Sequence, residues 1–64
     1  MLICVVKEIY EQSVKEKLIN YQITTLCEKD KNYSILFVIT KRKETYKISE
    51  IVRQTDNSAI IISE

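Results

Sequence analysis

An α+β fold of the βαββαβ kind follows from three observations on this 64-residue chain. Leu2-Ile3-Cys4-Val5-Val6, Ile35-Leu36-Phe37-Val38-Ile39 and Ala59-Ile60-Ile61-Ile62 are unbroken apolar runs of strand length. Two stretches between them repeat their apolar residues at helical spacing. The charged segment Lys29-Asp30-Lys31-Asn32 is short enough to make a hairpin of the second and third strands. This order is the split βαβ, or ferredoxin-like, arrangement, expected to form one domain over residues 1–64.

The elements follow in order. Residues 2–7 predict the first strand. Residues 8–20 predict a helix, because Tyr10, Val14 and Leu18 fall at i, i+4 and i+8. Glu8 and Glu11 near its start, and Lys15 and Lys17 later, follow the order that the helix dipole favours. Asn20 is its expected stop. Residues 22–28 predict a second strand with Ile23, Thr25 and Cys27 on one side and Thr24 and Leu26 on the other; its weaker apolarity suits an edge. Residues 33–40, the most apolar, predict a central third strand. Residues 44–55 predict the second helix, with Ile48, Ile51, Val52 and Thr55 at i, i+3, i+4 and i+7. Asp56-Asn57-Ser58 ends it, and residues 59–63 predict the fourth strand. Right-handed crossovers then give the strand order 4-1-3-2, with both helices on one face.

That topology leaves the other face bare, whereas unbroken apolar runs suit strands covered on both sides. The set expected there, as an oligomer interface, is Cys4, Val6, Leu36 and Val38, with Phe37 turned toward the helices. Size points the same way. So short a domain buries about 60% of its unfolded surface, and a core this small rarely supplies more than about 3–5 kcal/mol without further support. Self-association into a homo-oligomer is the support this composition leaves.

Composition also excludes. With two cysteines, no histidine and no CxxC, no zinc or other metal site is expected. Zero glycine rules out Gly-rich phosphate loops, so no nucleotide cofactor is expected by those routes. Zero glycine and zero proline also hand the turns to Asn20, Asp30, Asn32, Asp56 and Asn57, which best tolerate the left-handed region. Cys4 and Cys27 are assigned to strands separated by the third, and are expected as buried, reduced thiols. Ten basic against nine acidic residues argue against a duplex-DNA partner. No run approaches the roughly 20 apolar residues of a membrane helix, and no secretory signal opens the chain. A cytoplasmic location is the resulting expectation.

Three local features carry candidate chemistry. Lys41, Arg42 and Lys43 gather positive charge where a strand meets a helix, a candidate site for an anionic small molecule. The plainer reading is a solvated turn whose lysines guard an aggregation-prone strand. Asp56 is expected to end the second helix or form an Asx-turn near Ser58, with Arg53 one turn earlier as an ion-pair partner. Tyr10, Tyr21, Tyr33 and Tyr46 support an alternative, a small RNA-binding module using the basic turn, although the first strand has no aromatic to stack a base. With no histidine, no nucleophile–base pair and no clustered carboxylates, no enzyme is expected.

From the third strand onward a family pattern appears. Ile35-Leu36-Phe37-Val38-Ile39-Thr40-Lys41-Arg42-Lys43-Glu44, then Ile48-Ser49-Glu50-Ile51-Val52, then Asp56-Asn57-Ser58-Ala59-Ile60-Ile61-Ile62-Ser63-Glu64, form an ordered series. It resembles the small C-terminal domain of unknown function of YitT-like and related bacterial multi-pass membrane proteins. Tyr21-Gln22-Ile23-Thr24-Thr25-Leu26 fits that pattern more loosely. The resemblance implies a PII-like ferredoxin fold, a trimer with its sheets packed inward, and a regulatory role. It also implies a membrane-protein partner and a place at the cytosolic face of the membrane, and it singles out Arg42 in the basic turn. The chain departs from the pattern in lacking the proline after Asp56, in having Ile60 for a phenylalanine, and in lacking the hairpin glycines. The lost glycines weaken any backbone-amide ligand site in the hairpin. No membrane segment precedes the domain, so a free-standing version or a fragment is expected.

Overall fold

The computed structural model describes residues 1–28 and 30–63. Strand β1 (Leu2–Lys7) leads through a 3-10 turn (Glu8–Tyr10) into helix α1 (Glu11–Lys17). Strands β2 (Gln22–Cys27) and β3 (Tyr33–Ile39) form the hairpin. A second 3-10 turn (Arg42–Glu44) opens helix α2 (Thr45–Thr55), and β4 (Ile60–Ser63) follows. The strands form one antiparallel sheet in the order β2-β3-β1-β4, the ferredoxin-like order expected from the sequence.

Both helices cover the same face. Val14 and Leu18 from α1 and its end, and Ile48 and Val52 from α2, are fully buried with Leu2, Cys4, Val6, Leu36 and Val38 of the sheet. Ile23, Ile51 and Ile61 pack around this cluster. Burying a side chain of this size is worth about 1.5–3 kcal/mol, so the cluster is the main source of stability. The helical stripes read from spacing are the ones buried, with Tyr10 and Ile51 half-buried at their margins.

Of the buried polar residues Ser34, Ser49 and Asp56, the first ties the sheet to α1. Ser34 of β3 has no exposure and donates to a carboxylate oxygen of Glu11 in α1. The other Glu11 oxygen accepts from Lys15 Nζ at 3.0 Å. The two hydrogen bonds, in that order of weight, hold the Glu11 carboxyl below its ordinary range against the opposing effect of burial. Pairing Ser34 with a helix carboxylate also fastens α1 to the sheet.

The turns depart from expectation. Among the described residues none has positive φ, so Asn20, Asp30, Asn32, Asp56 and Asn57 do not supply left-handed turns. Helix α1 instead ends where the Leu18 N–H is shared between the carbonyls of Val14 and Lys15, at 3.0 and 3.2 Å, and Tyr21 N–H returns to Leu18 O at 3.0 Å. At the end of α2 the backbone of Asp56 is extended (φ −138°, ψ 97°), and its side chain makes the turn.

Candidate assembly face and basic turn

Alternation along each strand decides which residues the helices leave uncovered. In β1 the helix-facing residues are Leu2, Cys4 and Val6, so Ile3, Val5 and Lys7 occupy the open side. In β3, Ser34, Leu36 and Val38 are buried, which leaves Tyr33, Ile35, Phe37 and Ile39 opposite. The registers Ile3↔Phe37, Val5↔Ile35, Ile3↔Ile62 and Val5↔Ile60 make these side chains one contiguous apolar face across β3, β1 and β4. Strand β2 adds Leu26 beside Ile35, and then polar Thr24 and Gln22.

This corrects the expected interface set by one residue in each strand. Cys4, Val6, Leu36 and Val38 are 0–1% exposed and belong to the core, not to the open face. Phe37, expected toward the helices, lies on the open side with Ile3. The bare face exists as the topology required, with the opposite parity. Lys7 held the signal for it: the only charged residue of β1 shares its parity with Ile3 and Val5.

The basic turn lies beyond the C-terminal end of β3. Lys41, Arg42 and Lys43 are all exposed, and Lys41 is extended just before the 3-10 turn. Glu44 N–H donates to Lys41 O at 3.0 Å, closing the turn. The Glu44 carboxylate accepts from the Tyr21 hydroxyl at 3.0 Å, which raises the tyrosine above its ordinary pKa. The turn is thus three exposed cations beside one engaged carboxylate. A cleft of about 350 Å³, lined by Lys7, Glu8, Ile9 and Asn32, lies at the opposite end of β1 and β3 and is separate from it.

Asp56 does more than end a helix. Its Oδ1 accepts from Ser58 N–H at 3.0 Å and from Ser58 Oγ at 2.6 Å, the expected Asx-turn. Its Oδ2 accepts from the backbone N–H of Lys7 at 2.9 Å. Burial works to raise this carboxyl, but the hydrogen bonds from Ser58 and Lys7 together outweigh it and hold Asp56 below its ordinary value. The carboxylate is therefore occupied by Ser58 and Lys7, and among the described residues it makes no ion pair with Arg53. That is a correction to the expected pairing.

The thiols also divide. Both are free; Cys4 is buried, and burial pushes its pKa up to about 11. Cys27, expected to be buried, is exposed at the end of edge strand β2. Among the described residues no group of three potential metal ligands comes together, and no helix is long and apolar enough to cross a membrane.

No curated protein and no solved structure matches the chain significantly. A family model described as an uncharacterized protein conserved in bacteria (DUF2179) matches residues 28–64. The match takes in β3, the basic turn, α2, the Asp56 turn and β4. It covers more than half of the chain, which therefore belongs to this bacterial family.

Proposed function

We propose that the chain is a non-enzymatic regulatory or ligand-sensing module that forms a homo-oligomer through its open sheet face. The observation that carries this reading is the contiguous apolar face of Ile3, Val5, Ile35, Phe37, Ile60 and Ile62, with no helix over it. Soluble monomers rarely expose apolar patches beyond a few hundred Å². A core that supplies only about 3–5 kcal/mol also gains from a partner. Family membership agrees with the likeness to YitT-type C-terminal domains, which favours three copies and a site of action beside a membrane protein at its cytosolic face. Lys41, Arg42 and Lys43 supply the positive charge for an anionic ligand, and binding there is coupled to assembly.

Light scattering tests the assembly: a mass of several chains supports it, and a monomer at every concentration removes it. Thermal unfolding with inorganic phosphate and nucleotides tests sensing, because a ligand specific for the folded state raises the midpoint. The rise should vanish when Lys41, Arg42 and Lys43 are all replaced by alanine. No rise with any anion would leave an adaptor without a ligand.

One observation favours a second reading. Tyr33 and Phe37 both lie on the open side of central strand β3, where RNA-recognition domains stack bases. That reading requires RNA binding that weakens steeply with salt. Absent or salt-insensitive binding removes it.

A further inference from the structure

Resting on the reading of Lys41, Arg42 and Lys43 as an anion site, we infer that this end of the molecule docks on an anionic lipid surface. Four elements meet there: β1 and β2 begin, β3 finishes and α2 begins. The hydrogen bond from the Tyr21 hydroxyl to Glu44 ties the α1–β2 connection, which carries Ile19, to the basic turn.

Charge is divided between the two ends of the strands. Lys41, Arg42, Lys43 and Lys47 are all exposed at this end. Glu44 is the acid among them, and its carboxylate already accepts from Tyr21. Glu8, Glu11, Glu28, Asp30 and Asp56 lie toward the other end, past the finish of β1 and β2, together with Lys7 and Lys31. Glu16 stands near the end of α1 and Glu50 in the middle of α2. A chain with a net charge of only +1 thus has a basic end and a mainly acidic one. An anionic surface attracts the first and repels the second, so its field orients the molecule as well as drawing it in.

Apolar side chains decide between lipid and a small anion or a nucleic acid. Ile19 is 79% and Tyr46 75% exposed, and both stand at the end that carries the cations. Lys43, Tyr46 and Lys47 fall at i, i+3 and i+4, on one outward side of the entry into α2. A tyrosine can stack on a base, but an exposed isoleucine adds nothing to phosphate or base recognition. A bilayer surface uses all three kinds of side chain. Lysine and arginine reach headgroup phosphates, tyrosine rests at headgroup level, and isoleucine enters the acyl boundary.

The chain has no tryptophan, so one introduced indole reports which end meets lipid. Ile19→Trp marks the basic end, and Ile9→Trp, at a position also 79% exposed, marks the other. On mixed phosphatidylcholine–phosphatidylglycerol vesicles the emission of Ile19→Trp should move to the blue, and that of Ile9→Trp should not. High salt should reverse the shift, and pure phosphatidylcholine vesicles should not produce it. Alanine at Lys41, Arg42 and Lys43 together should weaken partitioning about a hundredfold, since each cation near an anionic surface contributes about fivefold. Circular dichroism confirms that each variant is folded. A shift of Ile9→Trp, an equal shift on neutral vesicles, or undiminished partitioning of the triple alanine variant overturns the docking surface. Binding of RNA in place of vesicles overturns it as well. Absent vesicle binding, with an unfolding midpoint that phosphate or nucleotide still raises, overturns the lipid surface and leaves the anion site standing. No response to vesicles or to any anion overturns both.

Discussion

The backbone N–H of Lys7 lies 2.9 Å from the Asp56 carboxylate, although 49 positions separate them in the chain. Strand β4 begins at Ile60, opposite Val5, and the same register carried two residues further would put Ser58 beside Lys7. Ser58 turns its own N–H and hydroxyl to Asp56 instead. The carboxylate thus takes over where the β1–β4 ladder stops, joining the end of α2 to the end of β1.

Asp56→Ala should therefore destabilise well beyond an ordinary surface change. Three hydrogen bonds to a charged group are lost, and a cost of about 2–3 kcal/mol is expected. Asp56→Asn keeps an acceptor and should cost less. Urea unfolding of the two variants beside the parent protein measures both; equal midpoints in all three would show the contact to be idle.

Stability should fall in acid, with Asp56 and Glu11 contributing. Both carboxyls are lowered in the folded chain, while the unfolded chain takes up its protons near pH 4. Between those values the unfolded state binds more protons. The contribution is therefore complete above about pH 4 and disappears as pH falls through the lowered folded values. Asp56→Asn and Ser34→Ala should each flatten part of this acid limb, measured as unfolding midpoints across a pH series.

One thiol per chain should react under native conditions. Cys27 is exposed, whereas Cys4 is buried with its pKa pushed up to about 11 and so holds almost no thiolate at neutral pH. Mass spectrometry after thiol labelling should find Cys27 modified quickly and Cys4 only in denaturant. Fast labelling of Cys4 in the native protein would contradict its place between sheet and helices.

Val38→Asp should unfold the chain rather than merely separate copies. Val38 has no exposure, and a charge there has no partner. Leu36→Ala, at an equally buried position, should cost about 2–5 kcal/mol, comparable with the whole stability of so small a core. Ile19→Ala, at a position 79% exposed, should stay within about 0.5 kcal/mol of the parent. Denaturant melts of the three variants check the contrast.

The element order was legible because apolar spacing changes from strand to helix and back, and Val14, Leu18, Ile48 and Val52 are buried as their spacing requires. The parity of β1 and β3 was harder to read, since an unbroken run such as Leu2-Ile3-Cys4-Val5-Val6 has no polar alternation to mark its wet side. Only Lys7, at the strand's end, breaks the tie. The partners of Ser34 and Asp56 were not legible at all. Ser34 meets Glu11 across 23 positions and Asp56 meets Lys7 across 49, and no local pattern encodes such distances. The Asx-turn to Ser58, only two residues away, was readable for the same reason.

The backbone without positive φ has an evolutionary consequence. A residue in the left-handed region restricts its position to Gly, Asn or Asp, because other side chains cost roughly 1–2 kcal/mol there. None of the described positions imposes that restriction. Apart from the Asp56 turn, whose side chain is committed, the exposed connections can drift in sequence without backbone penalty while the sheet stays fixed. The backbone therefore leaves homologues free to diversify at residues 19–20 and 41–43, all exposed, and a library randomised there should retain the fold more often than one randomised at the Asp56 turn.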